Sequence, residues 1–368
     1  MGFGLFIPEF QKVFSLSSSM VGIISSLGFS GFFIGLAIAQ FMLNRRGPEF
    51  PVLVGLTAAT LGLGIVTAAP NAVVLAAGVF LAASSAGFAW TPFNDAVHRK
   101  VRNADRSLAL SEISTGTTVG IALAGAISLA MVFLDFGWRY CWAIFTVASA
   151  LALLGNRAAL HKVDKAADAS PRRAWARLLQ AQAIPLFGVA FVFGITSAVF
   201  ISFVPDQFAQ SGVPGMPEGS APSLVFIFFG LFGLAGLATS RVQDGIGLPW
   251  LLRILLGIGG ASLALAAVLP GSWAGLIPSA GLQGINVMMT SAVLAVWSER
   301  LFPDFPSLGF TVPLLATAAA SVIGPAITGW ALDAVGAMPV LLATAAIPLA
   351  AAAAVRARFV VETPEGAG

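Results

Sequence analysis

The positively charged residues of this 368-residue chain lie on one side of its long apolar segments. Short loops join the segments, and seventeen of the 19 Lys and Arg residues fall in alternate loops, with Arg253 counted at its nearer edge. Only Lys12 and Arg139 fall in the other set of loops. A protein with several membrane spans keeps its positive loops in the cytoplasm, and a soluble protein has no reason to sort its cations this way. The pattern therefore predicts a chain that crosses a membrane many times.

The composition supports the same class of protein. The hydrophobic fraction is 58% and the charged fraction only 10%, whereas a soluble domain carries about 25% charged residues. About 20 apolar residues cross a bilayer as a helix, and backbone groups in lipid must find their hydrogen bonds within the same helix. The single cysteine, Cys141, lies in an apolar run and is expected to be a packing residue. These features predict an all-α, polytopic membrane helix bundle.

The apolar runs predict twelve transmembrane helices. They are expected at 1–13, 20–43, 50–69, 71–96, 108–134, 138–159, 182–209, 222–242, 248–269, 273–299, 307–333 and 337–356.

The chain contains an internal repeat of six spans. The segment 6–10, Phe-Ile-Pro-Glu-Phe, resembles the segment 203–208, Phe-Val-Pro-Asp-Gln-Phe. Arg45 follows the first proline by 37 residues, and Arg241 follows the second by 36. Chance similarity between apolar helices is the alternative. Anchors that stay in register favour two six-helix pseudo-repeats.

This repeat leaves the first helix short. If the repeat holds, residues 182–204 have only residues 1–7 as their counterpart, and we expect about sixteen residues of the first helix to be missing. We expect a misassigned start codon or a truncated gene. A longer upstream reading frame that encodes apolar residues would support this expectation.

The basic stretch in the centre of the chain divides it into two halves. Ser170-Pro171 is typical of a helix start, and the residues after it predict a short amphipathic helix at the membrane surface. We interpret this helix as a topological anchor, with a binding role as the alternative. The expected units are a six-helix bundle with an incomplete first helix, a cytoplasmic linker, a second six-helix bundle and a cytoplasmic tail, at 1–160, 161–181, 182–358 and 359–368.

Several loops resemble motifs of the major facilitator superfamily of secondary transporters. The loop 43–47, Leu-Asn-Arg-Arg-Gly, is similar to the family signature Gly-x-x-x-Asp-Arg-x-Gly in its Arg and final Gly. The loop 239–245 is its counterpart in the second half, but Asn44 and Ser240 replace the usual Asp, and Gln40 replaces the first Gly. The glycines at 116–120 and the triplet Gly137-Trp138-Arg139 are similar to further family features. The resemblance covers essentially the whole chain.

The resemblance implies a central cavity between the halves, lined by the first, fourth, seventh and tenth helices. Gln283, Asn286 and Thr290 share one face of the tenth helix, so they are candidates for hydrogen bonds to a ligand; bonds between helices are the alternative. No Lys, Arg or His lies clearly at mid-membrane, which favours a neutral, weakly acidic or amphipathic compound. The predicted cavity residues are Trp90, Asn94, Thr196, Phe200, Gln283, Asn286 and Thr290.

Proton coupling requires a carboxylate that can hold a proton in a buried place. Glu9, Asp95 and Glu112 are the candidates, and Asp206 is the repeat partner of Glu9. Structural ion pairs with nearby arginines are the alternative for Asp95 and Glu112.

Charged residues occur at equivalent loops of the two halves and predict a cytoplasmic gate whose ion pairs form and break during alternating access. Simple positive-inside anchoring is the alternative for the arginines. The predicted gate residues are Arg45, Arg46, Arg241, Asp244, Glu299 and Arg300.

Together these features predict a secondary active transporter that moves a small organic solute by alternating access, with protons as the coupling ion and efflux or uptake left open. A membrane sensor that moves nothing and an inactive truncated transporter are the alternatives. No enzyme motif, cofactor or nucleic-acid partner is expected. No metal site is expected either, since His98 and His161 lack metal-ligand spacing. We expect a monomer in a bacterial inner (plasma) membrane, with the linker and C-terminus in the cytoplasm.

Overall fold

The computed structural model describes residues 2–101, 106–160, 180–302 and 306–360. These residues form α-helices, with three short 3₁₀ stretches at Ala181–Ala183, Leu234–Ala238 and Ala357–Phe359 and no β-strand among them. The α-helices of the described part are α1 (Gly2–Leu5), α2 (Ile7–Phe14), α3 (Ser18–Arg46), α4 (Glu49–Thr67), α5 (Ala72–Lys100), α6 (Arg106–Phe133), α7 (Trp138–Ala159), α8 (Ile184–Ser211), α9 (Ser220–Gly233), α10 (Thr239–Ile246), α11 (Leu248–Val268), α12 (Trp273–Leu301), α13 (Pro306–Val335) and α14 (Ala337–Ala354).

Within the described residues, eleven helical segments are long and apolar enough to cross a membrane. They coincide with the second to the twelfth predicted spans, which confirms the all-α membrane bundle. The first predicted span consists of α1 and α2. The linker helix predicted after Ser170-Pro171 lies outside the described residues.

The eighth span is interrupted, although the sequence predicted one continuous helix. It runs as α9, the 3₁₀ turn Leu234–Ala238 and α10. A Cβ at Gly236 would lie 2.9 Å from the Cβ of Met288 on α12. The 3₁₀ turn, which is wound more tightly than an α-helix, therefore lies where the eighth span packs closely against α12, the tenth span.

The two ends of the bundle differ in charge and in helix capping. We call the end that carries Arg45, Arg157 and Arg241 the Arg-rich end, and the opposite end the Arg-poor end. Three spans begin at the Arg-poor end with a side chain that accepts a hydrogen bond from a backbone N–H of the first turn. These capping residues are Ser17, Asn71 and Ser272.

Two long helix pairs join the halves. Span α3 of the first half packs along α13 of the second, and α6 of the first half packs along α9 of the second. In the six-span repeat, α3 corresponds to the eighth span and α6 to α13. Each joint therefore pairs the second span of one half with the fifth span of the other. This symmetry is expected for two related six-helix units.

An aromatic cluster attaches the short helices α1 and α2 to α7. The ring of Phe10 stacks on Phe3 at 5.5 Å between centroids and meets the edge of Trp138 at 5.0 Å. Trp142 lies 6.0 Å from the same ring. Such pairs add about 0.5–1.5 kcal/mol each beyond the area they bury. The cluster therefore fixes α2, which carries Glu9, against the rest of the first half.

Close packing of α3 on α5 gives a stability prediction. A Cβ at Gly87 would lie 2.5 Å from the backbone N of Leu36 and 2.8 Å from the carbonyl carbon of Gly35. We expect Gly87→Ala to separate the helices and to lower the free energy of unfolding by about 1–3 kcal/mol. The measurement is thermal unfolding with a thiol-reactive dye, because the single cysteine, Cys141, is fully buried.

Gly120 is the matched control, because a Cβ there would meet nothing within 4 Å. Gly120→Ala should leave stability unchanged or raise it by about 0.5–1 kcal/mol through helix propensity. Equal effects at both glycines would contradict the packing argument.

Candidate functional site

A buried polar contact joins α8 and α12 near the middle of both spans. Gln283 is fully buried, and its Nε2 lies 3.5 Å from the hydroxyl of Ser197, to which it donates. Its Oε1 is buried and has no hydrogen-bond partner among the described residues. Buried polar atoms are almost always paired, and an unpaired one requires a specific explanation. An unpaired acceptor at mid-span is the arrangement that a ligand donor would satisfy.

The other two residues of the predicted stripe on α12 bond to each other, and Asn286 lies against a different neighbour. Asn286 accepts a hydrogen bond from Thr290 at 3.1 Å. Its Nδ2 would lie 2.9 Å from a Cβ at Gly259, so its carboxamide lies against α11. Among the described contacts of the stripe, the hydrogen bond of Gln283 is the one that reaches a polar group of α8. The cavity roles assigned to Asn286 and Thr290 stay predictions, because their observed hydrogen bond joins two residues of α12 and reaches no other helix.

The remaining predicted cavity residues are spread over several helices. The Thr196 hydroxyl donates to the carbonyl of Val192 in its own helix at 2.9 Å. Phe200 is buried against Phe229. Trp90 lies near the Arg-rich end beside an apolar cluster of α3 and α13, and its Nε1 is buried without a partner among the described residues. The side chain of Asn94 lies outside the described residues.

At the Arg-poor end, two carboxylates from different halves lie close together. Glu9 of α2 is near enough to Asp206 of α8 for their charges to interact. The Oε2 of Glu9 is buried with no partner among the described residues, and its Oε1 would lie 3.7 Å from a Cβ at Gly219. Asp206 is buried and accepts a hydrogen bond from Gln210 at 2.8 Å. The sequence repeat predicted this pair as equivalent positions, and the fold brings them together.

Asp95 and Glu112 are the other two predicted proton carriers. Asp95 is partly buried near the Arg-rich end of α5. The side chain of Glu112 lies outside the described residues. Asp95 therefore lies at the opposite end of the bundle from Glu9.

The predicted cytoplasmic gate residues lie at the surface of the Arg-rich end. The guanidinium of Arg45 lies 4.0 Å from the ring centroid of Phe41, and that of Arg46 lies 4.3 Å from the ring centroid of Phe50. Both contacts are cation–π interactions within the first half. The other predicted gate residues are exposed: Arg241, Asp244, Glu299 and Arg300.

A neutral contact that the sequence analysis missed joins the halves near the Arg-rich end. The hydroxyl of Thr311 on α13 donates to Oε1 of Gln40 on α3 at 3.0 Å. Thr91 of α5 lies 3.5 Å from the same hydroxyl. The signal that could have found it is Gln40 itself, because a buried amide stands where the related family motif has glycine.

Known proteins support the architecture over the whole chain. Residues 1–236 match the model of the Major Facilitator Superfamily. A structure of the nucleoside transporter NupG is similar with a TM-score of 0.78 and 14% identity, covering 96% of this chain and 93% of that one. No curated protein sequence matches.

Two sugar transporters have the same fold. The D-xylose-proton symporter matches with a TM-score of 0.74 and 16% identity, covering 98% of this chain and 94% of that one. The E. coli fucose:proton symporter FucP matches with a TM-score of 0.65 and 18% identity at the same coverage. At these identities the likeness shows the fold alone. With more than half of the chain matched by the family model, the protein is an integral membrane protein and belongs to the Major Facilitator Superfamily.

Proposed function

We propose that this protein is a proton-coupled transporter of a small, uncharged polar solute. The observation that carries the proposal is the buried amide of Gln283, whose Oε1 has no partner among the described residues. A fully buried polar atom of this kind costs free energy unless a ligand pairs with it. Binding of a hydroxyl or amide N–H would remove that cost in the bound state.

The charge distribution supports an uncharged solute. The cationic side chains of the described residues lie near the helix ends, as at Arg45, Arg241 and Arg253. A phosphate or dicarboxylate is usually bound by a buried cation or a helix N-terminus. Nucleosides and sugars, the classes named for the similar structures, are uncharged and rich in hydroxyl groups. They suit an amide and a hydroxyl such as those of Gln283 and Ser197.

Proton coupling is supported by Glu9. Its carboxylate lies between α2 of the first half and the start of α9 in the second, beside Asp206. A proton on Glu9 would supply a donor and remove one of two neighbouring negative charges. Binding and release of a proton would then favour different arrangements of the halves, which is the requirement for coupled transport.

The orientation follows from the loop charges. Under the positive-inside rule, the Arg-rich end faces the cytoplasm and the Arg-poor end, with Glu9, faces outward. We place the protein in a bacterial inner membrane with its central linker and C-terminus inside. The unit of transport is expected to be the monomer, with residues 1–160 and 182–358 as the two moving bodies.

Ligand stabilisation tests the substrate class. Uridine, L-fucose and D-xylose are each added to purified protein, and unfolding is followed by dye labelling of Cys141, which is buried in the fold. A ligand at a hundred times its Kd adds about 2.7 kcal/mol of stability, so a clear rise in Tm is expected for at least one uncharged compound. Uridine monophosphate is the matched control, because it differs from uridine only in its phosphate.

Uptake into proteoliposomes under an imposed proton gradient then tests coupling. The stabilising compound should accumulate when the gradient is present and only equilibrate when it is absent. Stabilisation by uridine monophosphate but by no uncharged compound would overturn the proposed substrate class. Accumulation that ignores the proton gradient would overturn the proposed coupling.

A further inference from the structure

A carboxylate of the second half caps the start of α3, the second span of the first half. The two carboxylate oxygens of Asp333, on α13, accept hydrogen bonds from the backbone N–H groups of Ser18 at 3.1 Å and Ser19 at 2.9 Å. The next N–H, that of Met20, donates to the hydroxyl of Ser17. The first N–H groups of a helix have no partner within it. Here two of them depend on a residue more than 300 positions away.

The helices are tightly packed directly beside this cap. A Cβ at Gly329 would lie 2.5 Å from the carbonyl oxygen of Ser18 and 3.1 Å from the Cα of Gly22. Contact this close is available only to glycine. The cap is therefore part of a closed joint between α3 and α13 at the Arg-poor end.

A second carboxylate of the second half, that of Asp206, also accepts hydrogen bonds from the first half, at a residue shortly before Ser18. With its amide nitrogen facing the carboxylate, Gln11 of α2 donates to the two oxygens of Asp206 at 2.9 and 3.2 Å. Gln210 of α8 donates to Asp206 as well. Between Gln11 and Ser18 the chain turns through Ser15, which has a left-handed backbone. Two acceptors from the second half thus bind one short stretch of the first.

We propose that Asp206 and Asp333 act as a latch on residues 11–19 that holds the Arg-poor end of the transporter closed. This inference rests on the proposed function, because a latch has a role only if the halves move. Both links cross from one half to the other, and both would break together if the Arg-poor end opened.

The chemistry of the latch makes it reversible. Asp333 is exposed, and Ser18 and Ser19 are partly exposed, so water would replace each bond of Asp333 after separation. A hydrogen bond exchanged for bonds to water contributes only modestly to stability, even when one partner is charged. The latch would therefore shift the balance between closed and open states without fixing either.

Distances between spin labels across the two halves test the latch. Labels are placed at Val73→Cys and Met338→Cys in a Cys141→Ala background, since these exposed side chains belong to different halves at the Arg-poor end. A second pair at Arg157→Cys and Arg356→Cys reports on the Arg-rich end. The distances are measured by double electron–electron resonance in lipid nanodiscs, at acidic and alkaline pH.

Asp333→Asn and Gln11→Ala are the test variants, and Asp135→Asn is the matched control. Asp135 is the repeat counterpart of Asp333 and is exposed at the same end. Its left-handed backbone is one that asparagine adopts readily. We expect each test variant to raise the ratio of long to short distances at the Arg-poor end about fivefold. The control should leave that ratio unchanged.

The outcomes separate the latch from the proposed function. If wild-type protein shows two distance populations and neither test variant alters their ratio, the latch is wrong and alternating access stands. An equal response to Asp135→Asn would also overturn it, since a general loss of surface charge would then explain the shift. If both label pairs give one invariant distance in every variant and at both pH values, the halves do not move, and the proposed function fails together with the latch.

Discussion

Replacing Glu9 by glutamine should abolish accumulation of the solute against its gradient while leaving exchange of solute across the membrane intact. The amide keeps the size of the side chain and can donate a hydrogen bond as a protonated carboxyl does, but it cannot release a proton. One unit of pH gradient is worth about 1.4 kcal/mol per proton, or about tenfold in concentration. A carrier coupled to one proton would lose that whole factor.

Proteoliposome assays separate the two modes. Uptake under an imposed proton gradient measures accumulation, and counterflow of labelled against unlabelled solute measures exchange. Glu218→Gln is the matched control, because Glu218 is exposed at the same end and adjoins Gly219, the residue beside the Glu9 carboxylate. Full accumulation by Glu9→Gln would remove Glu9 from the coupling mechanism, and loss of exchange as well would show a structural role instead.

The spans, and the equivalence of positions in the two halves, could be predicted from sequence because both follow from one-dimensional patterns. Apolar length gives the helices, and the repeat of the Pro-acid motif at Glu9 and Asp206 placed these two residues at equivalent positions. Since equivalent residues of two related halves lie on opposite sides of a common axis, residues near that axis meet. The proximity of Glu9 to Asp206, close enough for their charges to interact, is an instance of this rule.

The partners of a helix face could not be predicted in the same way. Periodicity put Gln283, Asn286 and Thr290 on one face of α12, and they do share a face. It did not reveal that Asn286 would lie against α11 beside Gly259, while Gln283 contacts Ser197 of α8. That difference depends on the rotation of α12 between its neighbours, which is set by side-chain packing across the whole half.

Contacts between the halves were the least predictable part. In the sequence, Asp333 is distinguished only as the repeat counterpart of Asp135, yet it caps α3 from the other half. Gln40 was noted only as a departure from the family motif, yet it accepts a hydrogen bond from Thr311. The partners are backbone N–H groups in the first case and an ordinary Thr hydroxyl in the second. Such groups carry no pattern that distinguishes a contact across the halves from a bond within one helix.

Replacing Gln283 by leucine should weaken solute binding about tenfold or more while leaving the fold as stable as before. Leucine is close to glutamine in volume, and the change removes a buried oxygen that has no partner among the described residues. Among the described residues, the side-chain bond that this change removes is the long one to Ser197, at 3.5 Å. Ligand titration and thermal unfolding, both followed through Cys141, measure the two effects in one preparation.

Ser279→Ala is the control that makes this result specific, because it changes a purely interhelical contact one turn away on the same helix. Ser279 and Ser262 are both fully buried, and each hydroxyl donates to the other residue's carbonyl, at 2.7 and 2.8 Å. This variant should lose about 0.5–1.5 kcal/mol of stability and keep its affinity. If Gln283→Leu instead loses stability and keeps affinity, Gln283 serves only to join α8 and α12, and the solute must bind through other residues.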